Sequence, residues 1–339
     1  MFPKRIPSMR RRRPRPPIAG IALPGGLIVL ILLSIQQALA LPFWGTAPQT
    51  SPTPTGTPIP ERVLSSTPTL PPPTATPLPT RIPTPTGTPT PTPYPFFQEP
   101  LPPSDGTPRA LRVPILMYHY ISDPPPGADR LRLDLSVRPS QFEAHLQYLR
   151  QAGYETVSLS DLIFHLTQGK PLPPRPVVLT FDDGYRDAYE EAFPLLQRYG
   201  FRGTFFVLTG RADEGDPRYL SWEQIRRMSE AGMEIQLHGR EHIPLNGRDE
   251  AFLFYHIIGG KQSIEAHTGR PVRFFAYPSS VYDETLIRFL EGYRFWGAVT
   301  TAYGADERLE NRFLWPRIRI RGTDGVPQLA GKLQEFTGP

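Results

Sequence analysis

Cysteine is absent from all 339 residues of the sequence. The chain therefore has no disulfide bonds, no thiolate metal ligands and no cysteine that could carry a lipid. Most of the chain also lacks a basic excess. Seven positive charges lie between Lys4 and Arg15 with no acidic residue among them, so the remainder carries −2 although the whole chain carries +5. This distribution argues against nucleic acid as a partner.

Charged and strongly polar side chains are missing from the run Ile18–Leu33, directly after the arginines. The basic flank, this run and Ala38-Leu39-Ala40 are typical of a secretory signal peptide cleaved after Ala40. The same residues fit an uncleaved signal anchor, because the length of Ile18–Ile35 is near the minimum that can span a membrane. Both alternatives place everything downstream outside the cytoplasm. We predict that residues 1–41 anchor a single-pass membrane protein, or are removed near Ala40 from a secreted one.

Apolar side chains are scarce between residues 42 and 108, which hold 22 of the 45 prolines and many threonines. The heptapeptide Pro-Thr-Pro-Thr-Gly-Thr-Pro occurs there twice, at 52–58 and 83–89. Such a segment buries too little apolar surface to fold and favours polyproline II. We predict a disordered linker at 42–108 that carries the following domain away from the membrane.

Residues 109–339 are long enough for one large domain, and their apolar runs alternate with amphipathic stretches. This alternation predicts an α/β fold with parallel strands and helices outside, specifically a distorted (β/α) barrel of about seven strands. The predicted strands are Val113–Met117, Val177–Thr180, Thr204–Leu208, Met233–Leu237, Phe274–Tyr277, Ala298–Thr301 and Ile318–Ile320. The predicted helices are one capped by Ser140, then Asp187–Tyr199, Trp222–Ala231, Asp249–His267 and Asp283–Leu290.

Two adjacent carboxylates follow the second predicted strand, in Thr180-Phe181-Asp182-Asp183-Gly184. Because neighbouring side chains diverge at a strand end, one aspartate could bind a metal while the other faces a substrate. An ordinary solvated turn is the alternative interpretation, since Asp and Gly are common turn residues.

Two histidines follow the fourth predicted strand, in His238-Gly239-Arg240-Glu241-His242. Four residues apart, they would share one face if a helical turn began there, which is a common spacing of metal ligands. A surface helix is the alternative. Together with one aspartate, the two imidazoles would form a three-ligand site with positions left for water and substrate.

These motifs carry a family resemblance. Residues 112–335 resemble the polysaccharide deacetylase, or NodB-like, domain of carbohydrate esterase family 4, through the Asp-Asp and His-x-x-x-His blocks and Phe275-Ala276-Tyr277-Pro278. The opening Pro114–His119 and the late Trp315-Pro316-Arg317-Ile318 resemble the subgroup that acts on poly-N-acetylglucosamine.

The resemblance implies a role for each matched residue. Asp183, His238 and His242 would bind a divalent metal, which is usually zinc in the family, and Asp182 would be the general base. The Ser279 N–H would stabilise the oxyanion, and His119 would be the general acid. In the folded domain, the aromatic residues Tyr185, Trp222 and Tyr277 are candidates for contact with sugar rings, with core packing as the alternative.

Some positions depart from the family pattern. Gly239, Ala276 and Ser279-Ser280 stand where the family often has Thr, Arg and Tyr-Gly. Arg317 is a candidate substrate-binding residue, or a substitute for the missing arginine that orients the base. These departures bear on substrate and rate more than on the type of reaction.

The expected function is metal-dependent removal of N-acetyl groups from a cell-surface polysaccharide that contains N-acetylglucosamine. Peptidoglycan, chitin or O-acetylated xylan are alternative substrates. A glycan-binding module with a structural metal and no catalysis is the alternative of another class. No protein partner is evident in the sequence.

Overall fold

A computed structural model describes residues 98–337 of the chain. Within these residues ten β-strands form two sheets. In chain order they are β1 (Ala110–Leu111), β2 (Ile115–Tyr118), β3 (Glu155–Thr156), β4 (Pro176–Phe181), β5 (Thr204–Val207), β6 (Glu234–Leu237), β7 (Phe274–Ala276), β8 (Gly297–Val299), β9 (Glu307–Arg308) and β10 (Ile318–Arg319).

Seven of these strands form the central sheet, in the order β10-β2-β4-β5-β6-β7-β8, and every neighbouring pair is parallel. They are the seven strands that the sequence predicts, so the distorted barrel is confirmed. The two outer strands approach each other through a single parallel bridge between Val299 and Trp315. The short β3 adds to the start of β4, and β1 pairs with β9 in a separate antiparallel ribbon; the sequence predicts none of these three.

Ten α-helices lie in the described part of the chain. They are α1 (Arg130–Leu135), α2 (Pro139–Gln151), α3 (Leu159–Gln168), α4 (Phe193–Tyr199), α5 (Thr209–Asp213), α6 (Trp222–Glu230), α7 (Glu250–Leu253), α8 (Gly259–Thr268), α9 (Glu284–Gly292) and α10 (Val326–Thr337). None of them is long and apolar enough to cross a membrane.

All five predicted helices are present, with differences in detail. The prediction that Ser140 caps a helix is wrong in register, because the helix begins two residues earlier, with Arg138 at the cap position and Pro139 as its first residue. Arg138 makes no side-chain cap, and Pro139 suits the first turn because it has no N–H that needs an acceptor. The helices predicted at Asp187–Tyr199 and Asp249–His267 contain π-helical segments, Ala188–Ala192 and Phe254–Ile258. Such segments are rare and often lie near functional sites.

The strands separate two layers of apolar side chains. Ile115, Val178, Phe206 and Phe274 point into the barrel, while their neighbours along each strand pack under the surrounding helices. Helix α3 adds four apolar side chains to the inner layer, and its Ser160 bonds Glu234 at the beginning of β6. The N-terminal end of the barrel is therefore filled, and the opposite end remains for a site.

Residues 98–108 contact this domain, although the sequence predicts that they belong to the linker. Glu99 forms an ion pair with Arg273 at 2.6 Å, and its carbonyl accepts a hydrogen bond from the indole of Trp296. Leu101 packs against the inner apolar layer. The predicted export segment at 1–41 and the rest of the linker lie outside the described residues.

A buried ion pair links α8 to the strand that follows it. Lys261 donates to Glu265 Oε1 at 2.6 Å and also to the carbonyl of Val272, and both side chains are almost completely buried. The same carboxylate accepts the N–H of Val272. Because Val272 lies just before β7, this pair helps to position the strand.

We expect Lys261→Met to destabilise the protein by about 3–5 kcal/mol, because the buried Glu265 carboxylate would lose its cation. Urea denaturation of the full-length chain measures the change. Arg226→Met is the control, since Arg226 forms exposed ion pairs on α6 and should shift the transition little. Equal stability of the two variants would contradict a structural role for the buried pair.

Candidate active site

A cavity of about 360 Å³ opens at the C-terminal end of the barrel strands. It is the place where parallel barrels build their sites, because loops from many strands meet there. Its walls combine acidic, imidazole and aromatic groups with a few apolar ones. The lining residues are His119, Leu131, Leu135, Asp182, Asp183, Tyr185, Leu208, Tyr219, His238, His242, Tyr277, Ser279, Thr301 and Arg319.

The two aspartates face this cavity because the backbone turns between them. Asp182 continues the inward-facing series of β4, two residues after Thr180. Asp183 has a left-handed backbone with φ 72°, a conformation that aspartate tolerates better than most residues. The turn brings the second carboxylate back to the cavity instead of pointing it outward, so the interpretation as a solvated turn is wrong: both side chains are buried.

Asp182 is held by a buried arginine. Arg317 Nη1 and Nη2 donate to the two carboxylate oxygens at 2.7 Å each, in the parallel arrangement that suits a guanidinium and a carboxylate. Arg317 also donates to Thr180 Oγ1 and to the carbonyl of Thr300. Burial alone would raise the pKa of Asp182, but the charge and hydrogen bonds of Arg317 outweigh it and lower that pKa.

Asp183, His238 and His242 come together beside it. Asp183 Oδ1 lies 3.2 Å from His238 Nε2 and 3.6 Å from His242 Nε2. One ligand atom from each residue lies within 4.8 Å of the others. Although burial disfavours its charge, the hydrogen bond and positive charge that His238 offers when protonated, with the charges of protonated His119 and His242, lower the pKa of Asp183. The cluster therefore places a full negative charge between two imidazoles.

The donor set fits a divalent metal. His238 Nδ1 lies 2.7 Å from the carbonyl of Ala276, which selects the tautomer with a proton on Nδ1 and leaves the Nε2 lone pair directed at the cluster. Asp183 Oδ1 is buried and lacks a hydrogen-bond donor, as expected for an oxygen whose intended partner is a cation. Two imidazole nitrogens and one carboxylate oxygen are a ligand set that Zn²⁺ commonly takes.

The two histidines are not on a helical turn, although their spacing would allow one. After β6 the chain makes a series of bends through residues 240–243, with Gly239 at φ 93°. A left-handed residue breaks the helical path that would align positions four apart. The histidines meet because the loop folds back, so the predicted pairing is confirmed while the predicted helical geometry is wrong.

His119 follows β2 and lines the same cavity. Its Nδ1 is buried without a hydrogen-bond partner. Burial lowers the pKa of His119, although the charges of Asp182 and Asp183 act in the opposite direction. The imidazole is therefore neutral near pH 7 and available to receive a proton.

Ser279 and Ser280 form a strained turn at the cavity wall. Both have left-handed backbones, with φ 54° and 57°, which is uncommon for serine and costs energy. Ser280 compensates through its hydroxyl, which accepts the N–H of Thr301 at 2.9 Å, and through its own N–H, which donates to Tyr277. Within residues 98–337 the Ser279 N–H makes no hydrogen bond, so it can donate one to an oxygen atom of a ligand.

The structure separates the four candidate substrate-binding residues. Tyr185 and Tyr277 line the cavity, and the hydroxyl of Tyr277 is buried without a partner. Trp222 lies on the outer helix α6, where it stacks on His267 and donates to Asp213, so it does not belong to the cavity. Arg317 is 1% exposed and bound to Asp182, so its prediction as a substrate contact is wrong and the alternative, orientation of Asp182, matches the geometry.

Several residues in or next to the cavity wall were not predicted, and Tyr120 is one that supports the wall from behind Tyr185. Tyr120 stacks on Tyr185 with ring centroids 3.6 Å apart, and the guanidinium of Arg132 covers its other face. Tyr219 and Arg319 also belong to the site region. The sequence contains a signal for Arg319: in Arg317-Ile318-Arg319-Ile320 the arginines alternate with apolar residues, which places both on one face of a strand.

The chain is similar to known proteins. The profile of the family described as polysaccharide deacetylase matches residues 169–295. YxkH of Bacillus subtilis, which is named for the polysaccharide deacetylases, is 32% identical over 208 residues, or 61% of this chain and 71% of YxkH. The poly-beta-1,6-N-acetyl-D-glucosamine N-deacetylase of Escherichia coli is 32% identical over 108 residues, which cover 28% of this chain and 16% of that enzyme.

A solved structure supports the same relation. The Streptococcus pyogenes deacetylase PplD, in complex with acetate, superposes with a TM-score of 0.61 at 27% identity. The match covers 69% of this chain and 100% of PplD. The match therefore extends over a length close to that of the described domain.

We expect the full-length chain to bind one divalent metal ion through Asp183, His238 and His242. Calorimetric titration with Zn²⁺ should give a stoichiometry near one, and His238→Ala should weaken binding by at least about tenfold because it removes one of three ligands. His267→Ala is the matched control, since His267 lies on α8 against Trp222. Unchanged Zn²⁺ affinity in His238→Ala would exclude the site.

Proposed function

The chain belongs to the polysaccharide deacetylase family, and on that premise we propose that it hydrolyses N-acetyl groups of a cell-surface polymer containing N-acetylglucosamine, with the help of a divalent metal. The observation that carries the proposal is the meeting of Asp182, held ionised by Arg317, with the Asp183–His238–His242 cluster in one cavity. An ionised base beside a metal site is the equipment that amide hydrolysis needs.

Asp183, His238 and His242 would hold the metal. When bound, a divalent cation supplies Lewis-acid chemistry, which polarises a carbonyl and acidifies water. The tautomer of His238 is already set by the carbonyl of Ala276, so this ligand needs no rearrangement.

Asp182 accepts the proton of the attacking water on a carboxylate oxygen. Its lowered pKa keeps it ionised at neutral pH, and Arg317 fixes its orientation. Arg317 approaches from β10, whereas the family often uses an arginine at the position of Ala276. A guanidinium thus still orients Asp182, although it comes from a different part of the barrel than Ala276 does.

Two further groups serve the acetamide. The free Ser279 N–H donates to the carbonyl oxygen as negative charge develops there, and the strained turn holds it in that direction. His119 takes up a proton from solvent and passes it to the departing nitrogen, while the proton that Asp182 took from the attacking water returns to solvent. Because burial lowers its pKa, its protonated form is a stronger acid than ordinary imidazolium, which favours this transfer. The C–N bond breaks to give acetate and a free amine.

The substrate and location rest on other observations. The Escherichia coli relative is named as a poly-beta-1,6-N-acetyl-D-glucosamine N-deacetylase, and the opening and late motifs resemble that subgroup. The basic, apolar residues 1–41 and the Pro/Thr-rich stretch support a location outside the cytoplasm, either anchored in the membrane or secreted.

We expect the full-length chain loaded with Zn²⁺ to release acetate from oligomers of β-1,6-linked N-acetylglucosamine. A chelator should abolish release, and Asp182→Asn should lower kcat/KM by about 10²–10⁴-fold because the amide cannot take the proton. The rates of acetate release from this oligomer, chitin oligomers, peptidoglycan and O-acetylated xylan show which polymer the protein prefers.

His267→Ala, far from the cavity, is the control for these rates. Full activity of Asp182→Asn would show that another group is the base. Glycan binding without acetate release from any of the four polymers would favour the non-catalytic binding module.

We expect the effect of His119→Ala to depend on the leaving group. An amine must be protonated to depart, so acetamide hydrolysis should fall by about 10²-fold. Hydrolysis of an aryl acetate, whose phenolate leaves without a proton, should change far less. Steady-state rates for both substrates test this, and Asp182→Asn should lower both. An equal loss on the two substrates in His119→Ala would contradict a role as general acid.

A further inference from the structure

The charged side chains that line the cavity differ in how far their charge is already neutralised. Asp182 is paired with Arg317 through two hydrogen bonds, and Asp183 lies between two imidazoles. The remaining charged residue of the lining is Arg319. Its side chain is 31% exposed, and its guanidinium has no hydrogen bond within residues 98–337.

The one ion pair of Arg319 in the described part of the chain is weak. Arg319 Nη1 lies 3.9 Å from Asp134 Oδ2, beyond hydrogen-bond distance. Asp134 is already committed to Arg321, whose Nη1 donates to Oδ1 at 2.7 Å. One carboxylate is therefore shared by two arginines, and the nearer one takes the hydrogen bond. Arg319 keeps an unsatisfied positive charge directed at the cavity.

The position of Arg319 is set by the barrel. On β10 it lies beside Met117 of β2, two residues before His119, and two residues beyond Arg317 on the same strand face. It is near enough to His119 to contribute to the lowering of that pKa. Arg319 thus lies in the wall next to the proposed acid, toward α1 and its exposed residues Leu131 and Leu133. A group on the ring that flanks the reacting sugar would reach it there.

We propose that Arg319 forms a subsite for an anionic substituent, a carboxylate or a phosphate ester, on the sugar that neighbours the acetylated one. The inference rests on the proposed function, since it assigns the polymer that the same cavity receives. A guanidinium binds either oxyanion through two parallel hydrogen bonds, and a partly buried wall strengthens the contact relative to open solvent. The preferred polymer therefore carries acidic groups beside its N-acetyl groups.

The test measures binding, so that it does not depend on turnover. Full-length protein carrying Asp182→Asn, loaded with Zn²⁺, is titrated with a tetrasaccharide of alternating N-acetylglucosamine and N-acetylmuramic acid and with its methyl ester. A second arm compares an N-acetylglucosamine tetramer with its 6-O-phosphate. We expect the free acid to bind about tenfold tighter than its neutral form in at least one arm, less so at high salt.

Arg319→Gln, added to the same background, should bring that ratio of Kd values close to one. Arg319→Lys keeps the charge without the planar fork and should restore part of the preference. Arg138→Gln is the matched control, because it removes the same charge from an exposed ion pair with Asp123, does not line the cavity and leaves Asp134 paired with Arg321, so the preference should remain. General effects of Arg319 on the fold enter both Kd values and cancel in the ratio.

The arm that shows the preference identifies the oxyanion as carboxylate or phosphate. Equal Kd values for acidic and neutral forms in both arms, or a preference that survives Arg319→Gln, would overturn this subsite. So would the absence of binding to all four ligands. Acetate release from the neutral N-acetylglucosamine oligomer by the wild-type chain is a separate readout, and its loss would instead count against the proposed function.

Discussion

The guanidinium of Arg317 donates to both oxygens of Asp182, to the hydroxyl of Thr180 and to the carbonyl of Thr300, inside a barrel filled mainly with apolar side chains. These contacts join β10 to β4 and to the end of β8, which are far apart in the sequence. A buried carboxylate without such a partner would take up a proton, because burial disfavours its charge. The ionised state of the proposed base and the closure of the barrel thus depend on the same side chain.

The Asp183–His238–His242 cluster depends on a comparable set of backbone constraints. Asp183 turns back into the cavity through a left-handed conformation, and His238 is oriented by the carbonyl of Ala276 on the next strand. The turn at Ser279 and Ser280 adds strain that hydrogen bonds to Tyr277 and Thr301 offset. Unfavourable local conformations are therefore concentrated at the C-terminal end of the strands, as is common where a site needs fixed directions.

The opposite end of the barrel has a different character. There α3 fills the interior, and the segment from Gln98 onward is held by the contacts of Glu99 with Arg273 and Trp296. The chain therefore enters the domain on the side away from the cavity, which leaves the cavity mouth open. That mouth is bordered by α1 and by the stacked rings of Tyr120 and Tyr185, and Arg319 contributes its charge there.

The sequence by itself determined the seven strands, because short apolar runs bounded by turn residues are typical of buried strands. It also predicted that one residue of the Asp182-Asp183 pair lies near the two histidines, because each motif directly follows such a strand, and the family resemblance selected Asp183. It could not determine that His238 and His242 meet across a bent loop, since their spacing also fits a helix. Nor could it decide whether Arg317 contacts a substrate or pairs with Asp182, 135 positions away, or exclude Trp222 from the cavity. Local patterns report which face of an element a residue occupies, whereas contacts between distant elements arise only when the barrel closes, and the partner of each charge is decided at that stage.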